Sequence, residues 1–185
     1  VEEVFIPSID RIFNVRFYPV KDMAGKYLYS AHIMEDITEA KKAEDALNAS
    51  QEYANNVINS SLDMIVAVDN DRRITVFNKA AQEIFGYAPD EILGKHADIL
   101  YANPNEGLKA HKMTIEHGIY VQEILNKRKN NETFPSLLSA SILKDLQGNT
   151  AGVMGVSHDI TNRKLAEKRI MDEMEITSHL LMIAD

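Results

Sequence analysis

Hydrophobic and β-branched residues form short runs between residues 61 and 159, and turn-forming residues separate these runs. The runs Met64–Asp69 and Ile74–Phe77 predict two strands around the turn Asn70-Asp71, because such runs bounded by Asn and Asp are typical of hairpins. Three more strands are predicted further along the chain: Tyr120–Asn126, Phe134–Leu143 and Ala151–Ser157.

Three short helices are predicted between the second and third of these strands, from Asn78 to Gly86, from Ala88 to Gly94 and from Asn103 to Gly118. Asn is a favoured N-cap, and Gly often follows the last residue of a helix. In the third helix Pro104 lies in the first turn, and Glu106 predicts a capping box. The order predicts an α+β fold, a five-stranded antiparallel sheet with short helices on one face.

Part of this pattern occurs twice. Lys21 to Gly25 recurs 123 positions later as Lys144 to Gly148, and the Asp-Ile-Thr at 36–38 recurs without a gap at 159–161. Nine identities in a 24-residue window indicate two copies of one unit. Each Lys-Asp-x-x-Gly lies between strand-like runs, which predicts a hairpin in both copies. The first copy has only 35 residues before its Asp-Ile-Thr, so we expect it to lack its front half.

The hydrophobic period changes to three or four residues after each Asp-Ile-Thr. The residues that follow this period are Ala40, Ala43, Leu47, Ala54 and Val57 in the first copy and Ile160, Ile170, Met174, Leu181 and Ala184 in the second. They predict amphipathic, coiled-coil-like helices that form a seam between subunits. The alternative is that each helix packs on its own domain.

Composition narrows the classes of function. The net charge of −8 argues against a nucleic-acid partner, because phosphate backbones are repelled. The absence of cysteine excludes disulfides, Cys-ligated metals and thiol-linked chromophores. No apolar run reaches the about 18 residues of a membrane span, and no signal-peptide pattern is present. We expect a soluble, cytoplasmic segment of a longer protein, since the chain begins at Val1 rather than Met.

The residues from Asn78 to Tyr87 resemble the Asn-x-Ala…Phe-Gly-Tyr signature of PAS domains. Three further segments resemble the family: Glu91–Lys95, Glu123–Lys129 and the terminal Asp159–Thr161. One departure is Asn130-Asn131, where the family usually has Asp-Gly, although Asn-Asn can make the same turn. The resemblance implies a PAS fold and a tandem PAS region of a bacterial or archaeal sensor, such as a histidine kinase or diguanylate cyclase.

With this resemblance the chain divides into four segments. They are residues 1–35, the C-terminal strands of a truncated preceding PAS domain; 36–60, a linker helix; 61–158, a complete PAS domain; and 159–185, a C-terminal signalling helix.

The resemblance also implies a function, since PAS domains are sensory and dimerisation modules and not catalysts. We expect a homodimer formed through the helices and the sheet, and an output domain in the same parent chain. The residues agree, because the sequence has no phosphate-binding glycine loop, and His179 is followed by Leu180 rather than by the acid of a phosphoacceptor site. The basic run Lys127–Lys129 is predicted to be a solvated hairpin tip.

Asp159, Ile160 and Thr161 are predicted to relay a signal from the last strand into the helix, with Asp159 capping its start. His111 is the candidate cofactor residue, because Leu108, His111 and Ile115 share one helix face. Haem-binding PAS domains resemble this arrangement, with an axial His on that helix, and imidazole is a good ligand of haem iron. The alternative is a hydrogen-bonded or half-exposed His111.

The sequence leaves three alternatives for the cofactor: none, haem or flavin. Flavin is disfavoured because Tyr120 stands where flavin-binding relatives often carry Trp. Phe77, Ile115, Phe134 and Leu138 are the expected neighbours of a haem at His111. The wider cavity lining is predicted as Ile65, Phe77, Ile84, Phe85, Leu93, Leu108, Ile115, Phe134, Leu138 and Val153, unless these side chains fill the core. Three functions follow: a ligand-gated sensor, a haem-based redox or gas sensor, or a structural dimerising spacer.

Overall fold

The computed structural model describes the backbone of residues 2–183 and the side chains of residues 2–176. The chain forms two compact units, of which the first ends at Asn56 and the second begins at Val57. None of the helices in the described part of the chain is long and apolar enough to cross a membrane. The predicted boundaries at residues 35, 60 and 158 stay predictions.

The first unit contains a three-stranded antiparallel sheet in the order β1-β2-β3. Its strands are β1 (Glu2–Ile6), β2 (Arg11–Lys21) and β3 (Tyr27–Asp36), and helix α1 (Thr38–Asn59) follows. At the turn between β2 and β3, the Asp22 carboxylate accepts hydrogen bonds from the backbone N of Ala24 and Lys26, each at 2.9 Å. The Lys-Asp-x-x-Gly segment therefore forms a hairpin turn.

The second unit contains a five-stranded antiparallel sheet in the order β5-β4-β8-β7-β6, which confirms the predicted fold class. The strands are β4 (Met64–Val68), β5 (Ile74–Phe77), β6 (Ile119–Lys127), β7 (Thr133–Lys144) and β8 (Thr150–Asp159). Asn131 has a φ of 69° in the turn between β6 and β7. Asn131 thus adopts the left-handed conformation at the position where the family usually has Gly.

The segment between β5 and β6 contains helices α2 (Lys79–Phe85), α3 (Pro89–Ile92) and α4 (Pro104–His117). Asn78 caps α2 by accepting a hydrogen bond from Ala81 N, as predicted. Two details differ from the sequence predictions. A 3₁₀ helix forms at Ala97–Leu100, and Glu106 makes no capping box because its carboxylate accepts from Leu125 N at 3.3 Å.

The core of the second unit lies where these helices pack on the sheet. Its larger cluster contains Met64, Ile74, Phe77, Ala81, Phe85, Ile92, Ala97, Leu100 and Phe134, and the smaller one contains Ala110, Ile124, Leu138, Ala140 and Val153. Gly152 permits β8 to approach β4, because a Cβ atom there would lie 1.9 Å from the carbonyl oxygen of Val68.

Helix α5 (Thr161–Ile183) follows β8 after the single residue Ile160. Ile160 is buried, with 2% of its surface exposed. The side chains of His179 and Leu181, and all of Ala184, lie outside the described residues.

Candidate functional site

A cavity of about 60 Å³ lies between α4 and the sheet of the second unit. Its apolar wall includes Val66, Val68, Phe85, Leu138 and Val153. Its polar wall includes Arg72, Tyr101, His111, Asn126 and Ser157. The cavity therefore combines an apolar surface with a small set of polar groups, as ligand sites commonly do.

Arg72 reaches this cavity from the turn between β4 and β5. The residue has a φ of 61°, and the turn is held by the Asp69 carboxylate, which accepts from Arg73 N at 2.8 Å. Only 11% of the Arg72 side chain is exposed, and its Nη2 donates to Asp98 Oδ1 at 2.5 Å. Arg72 is not predicted from the sequence as a cavity residue, because nothing in a local turn pattern shows that its side chain folds inward.

Gly107 on α4 makes room for two of these polar groups. A Cβ atom at this position would lie 2.7 Å from the Tyr101 ring and 3.0 Å from Arg72 Nη2. Burial raises the pKa of Tyr101 to about 12, so its hydroxyl stays neutral. Any side chain at position 107 would therefore displace Tyr101 or Arg72.

His111 lines the cavity, as the sequence predicts. Its Nδ1 atom is buried and has no hydrogen-bond partner among the described residues. Burial lowers the pKa of His111, and the charges of Arg72 and His96 lower it further. At neutral pH the site therefore holds a neutral imidazole whose buried Nδ1 has no partner among the described residues.

The face of α4 that packs on the sheet differs from the predicted one. Leu108 and Ile115 are 38% and 40% exposed, whereas Gly107, Ala110 and Thr114 are buried. Small residues form this face because they let the helix approach the strands closely. The expectation that Ile115 faces the cavity is therefore wrong.

Of the other predicted lining residues, Phe85, Leu138 and Val153 line the cavity. Phe77 and Phe134 are buried in the larger core cluster, and Ile84 packs against it. Ile65 is half-buried outside the cavity lining, and Leu93 is 45% exposed. Pockets for drug-sized ligands and cofactors have volumes of roughly 300–1,000 Å³. A cavity of about 60 Å³ with Arg72 and Tyr101 in its wall does not fit a haem.

The junction between β8 and α5 is held by side-chain hydrogen bonds. Asp159 Oδ1 accepts from Thr161 N at 2.9 Å and from Thr161 Oγ1 at 2.5 Å. Ile160 N donates to Pro135 O of β7 at 3.0 Å. The predicted relay residues therefore form one bonded unit with the neighbouring strand, although their signalling role stays a prediction.

Arg128 holds the second oxygen of Asp159, with Nη2 donating to Oδ2 at 3.2 Å. The same guanidinium lies 4.1 Å from the centre of the Phe134 ring and donates to the carbonyl oxygen of Ile84. The neighbouring Lys129 pairs with Glu91 at 2.5 Å. The prediction of a merely solvated basic run is therefore wrong, because long side chains of a hairpin tip can fold back onto the domain.

Glu123 on β6 makes a second connection to α5. Its carboxylate pairs with Arg163 Nη2 at 2.5 Å and with Lys164 Nζ at 2.6 Å. The hydrogen bond from Lys164 is the largest cause that lowers the pKa of Glu123. The sequence indicates Glu123 only as part of a family motif, because pairing across separate elements has no local signal.

The first unit repeats these junction contacts. Asp36 Oδ1 accepts from Thr38 N at 3.0 Å, and Ile37 N donates to Ile12 O at 2.9 Å. Lys41, the repeat equivalent of Lys164, pairs with Glu3 at 3.0 Å. Glu3 pairs with Asn14 in the sheet and Glu123 pairs with Leu137, and the two partners are 123 positions apart like the rest of the repeat.

Comparison with known proteins gives one family and two relatives. The family model described as PAS domain matches residues 62–162. Sensor protein FixL of Bradyrhizobium diazoefficiens is 25% identical over 172 residues, which cover 89% of this chain and 33% of FixL. Signal transduction histidine-protein kinase AtoS of Escherichia coli is 25% identical over 126 residues, which cover 68% of this chain and 21% of AtoS. The chain thus spans a third or less of these relatives.

Two solved structures share the fold. The PAS domain of a protein from Colwellia psychrerythraea superposes with a TM-score of 0.55 at 19% identity, covering 60% of this chain and 98% of that one. An RNA-binding light-oxygen-voltage receptor superposes with a TM-score of 0.58 at 21% identity, covering 68% of this chain and 38% of that one. At these identities the likeness concerns the fold alone.

Proposed function

The chain belongs to the PAS domain family, whose model covers residues 62–162, and we propose that it is the sensory and dimerisation region of a signal-transduction protein. Its relatives FixL and AtoS are a sensor protein and a signal transduction histidine-protein kinase. In this proposal the chain is regulatory, and a kinase or cyclase elsewhere in the parent protein carries out catalysis.

The junction between β8 and α5 is the observation that carries the proposal. Only the buried Ile160 separates the last residue of the sheet from the first residue of the helix. Asp159 accepts hydrogen bonds from Thr161 in the first turn of α5 and from Arg128 in the turn between β6 and β7. A shift of β8 against that turn therefore moves the start of α5. A ligand or an upstream signal needs to change this packing by only a few kcal/mol to shift the population of two helix positions.

The first unit fits the same proposal as the C-terminal strands of a preceding PAS domain. The 123-residue repeat and the matched contacts of Asp36, Ile37 and Lys41 support this assignment. Signals from further upstream would then enter α1 through a junction of the same construction.

Dimerisation is the second part of the proposal. Apolar residues are exposed along both long helices: Leu47, Tyr53 and Val57 on α1, and Leu165, Ile170, Met171, Met174 and Ile176 on α5. A second copy of the chain could cover them, as the heptad-like spacing indicates. If the chain only dimerises and passes on upstream signals, it is a structural spacer without a ligand. Light scattering on the purified chain tests the dimer, and a monomer at all concentrations would contradict it.

The relay is tested by Asp159→Ala in the full-length parent, with the output activity as readout. Loss of this helix-start acceptor should uncouple the output from the stimulus while the domain stays folded. Asp145→Ala is the matched control, because Asp145 also accepts backbone hydrogen bonds beside β8, from Gln147 N and Asn149 N, but at the other end of the strand. A coupled output in Asp159→Ala would contradict the relay.

A further inference from the structure

The polar wall of the cavity contains one cationic side chain, Arg72, whose hydrogen-bond donors are only partly used. Among the residues that line the cavity, Arg72 carries a full charge, and no Asp or Glu is present. A guanidinium has five N–H donors in a fixed fork. The described residues give this guanidinium one hydrogen bond, from Nη2 to Asp98 Oδ1. The other oxygen of Asp98 lies 3.1 Å from His96 Nδ1.

The second incomplete group is His111, whose buried Nδ1 has no partner in the described part of the chain. Buried polar atoms in native proteins nearly always have a partner, and an exception calls for water, an ion or a ligand. Asn126 shows the contrast, because its amide donates to Leu100 O at 2.8 Å and accepts from Ser136 Oγ. Arg72 and His111 therefore both contribute unmet hydrogen-bonding capacity to the cavity.

The volume of the cavity limits what can meet this capacity. A single water needs roughly 10–15 Å³ of such space, and an engineered cavity of about 150 Å³ holds benzene. About 60 Å³ therefore suits a molecule of roughly three to five non-hydrogen atoms. Leu138 and Val153 provide an apolar surface for one or two carbon atoms.

We propose that this cavity binds a short monocarboxylate of formate or acetate size, with its carboxylate at Arg72 and His111 and its carbon end against Leu138 and Val153. The free N–H groups of Arg72 donate to the carboxylate, and the Nδ1–H tautomer of His111 donates to its other oxygen. The inference rests on the proposed sensory function and names the ligand class of that site.

The test is a titration of the 185-residue chain with sodium acetate, followed by amide and histidine NMR shifts. Sodium chloride at matched ionic strength and acetamide are the comparison solutes, because acetamide has the shape of acetate without its charge. We expect saturable shifts at Gly107 and His111 with acetate, with a dissociation constant of about 0.1–10 mM. Acetamide should bind at least about tenfold more weakly, a loss typical of one charge-assisted hydrogen bond.

Two pairs of variants make the test specific. Arg72→Gln should weaken acetate binding about tenfold or more, whereas Arg73→Gln, whose exposed guanidinium donates to Gly94 O instead, should leave it unchanged. Gly107→Ala should also abolish binding while the sheet stays folded, because the new methyl group pushes Tyr101 or Arg72 into the cavity. Circular dichroism on each variant confirms that the domain is folded.

Three results would overturn the inference: shifts with acetate that equal those with chloride, equal binding of acetamide, or unchanged binding in Arg72→Gln. Any of them means that the cavity holds only water or a neutral ligand. The relay through Asp159 could still stand, because its test reads the output of the parent. Conversely, saturable acetate binding with no effect of Asp159→Ala on output would reject the proposed relay and keep the inference.

Discussion

Arg128 and Asp159 lie 31 positions apart in the sequence and pair at 3.2 Å, so the hairpin tip between β6 and β7 is bonded to the start of α5. Both side chains are about one quarter exposed. The same guanidinium packs on Phe134, a buried residue of the main core cluster. The point where the sheet meets the helix is therefore anchored in the core.

Replacing Arg128 should destabilise the domain. Arg128→Gln removes the pair with Asp159, the cation–π contact with Phe134 and a hydrogen bond to Ile84, a loss of about 2 kcal/mol in total. Urea denaturation followed by circular dichroism measures the free energy of unfolding. Lys129→Gln is the control, since its exposed pair with Glu91 should contribute little. Equal stability of the two variants would contradict the anchoring role.

Glu123 should hold the first turn of α5 against the edge of the sheet. Glu123→Gln weakens the pairs with Arg163 and Lys164, so hydrogen exchange should become faster in residues 161–165 and stay unchanged in the sheet. High salt should produce the same change in the wild type, because exposed ion pairs are screened. Glu132→Gln, in the turn between β6 and β7, serves as the control. If hydrogen exchange in α5 responds neither to Glu123→Gln nor to high salt, Glu123 does not hold the first turn of the helix.

The imidazole of His111 should titrate below the usual value of 6.5, because burial and the charge of Arg72 oppose its protonation. The unfolded chain then binds more protons than the folded chain between the lowered pKa and 6.5. The free energy of unfolding should therefore rise with pH across that interval and fall as pH drops. His111→Gln should remove this slope, and His117→Gln, which changes an exposed residue of the same helix, should retain it. NMR titration of the His111 ring gives the pKa directly, and a value above 6.5 would contradict the prediction.

Gly152 and Gly155 should differ sharply in their tolerance of a side chain. Gly152→Ala forces a methyl group onto the backbone of Val68, so the domain should lose about 3 kcal/mol or more. In Gly155→Ala the nearest atom is Leu138 Cδ1, at 2.9 Å, and that side chain can rotate away. Thermal unfolding of both variants measures their stability, and Gly152→Ala should unfold at the lower temperature. A Gly152→Ala variant more stable than Gly155→Ala would contradict the prediction.

The sequence predicts the strands, turns and helix ends well where the signals are local. Asn78 and Gly86 bound α2 because a cap and a left-handed glycine act through neighbouring backbone groups. The face of α4 is predicted wrongly, because the spacing of Leu108 and Ile115 indicates a stripe of large residues, whereas the sheet selects the small residues Gly107 and Ala110. Tertiary fit decides that choice.

The Arg72 side chain turns inward to pair with Asp98, which lies 26 positions away in the sequence. Arg128 pairs with Asp159, which lies 31 positions away. A charge run by itself indicates a solvated surface, and only the folded chain shows which of its members meets an acid. The repeat was the one long-range signal in the sequence. The repeat predicts equivalent positions for the two Asp-Ile-Thr segments. In both segments the Asp carboxylate accepts a hydrogen bond from the backbone N of the Thr.

The central claim is that the junction at Asp159 couples α5 mechanically to the sheet. The chain has no cysteine, so spin labels can be placed at Gln147→Cys in the turn between β7 and β8 and at Lys168→Cys in α5 without other changes. Pulsed electron spin resonance should give a narrow distance distribution in the wild-type background and a broad or shifted one with Asp159→Ala. A control pair at positions 130 and 147, both in sheet turns, should not change. An unchanged distribution between positions 147 and 168 in Asp159→Ala would contradict the claim.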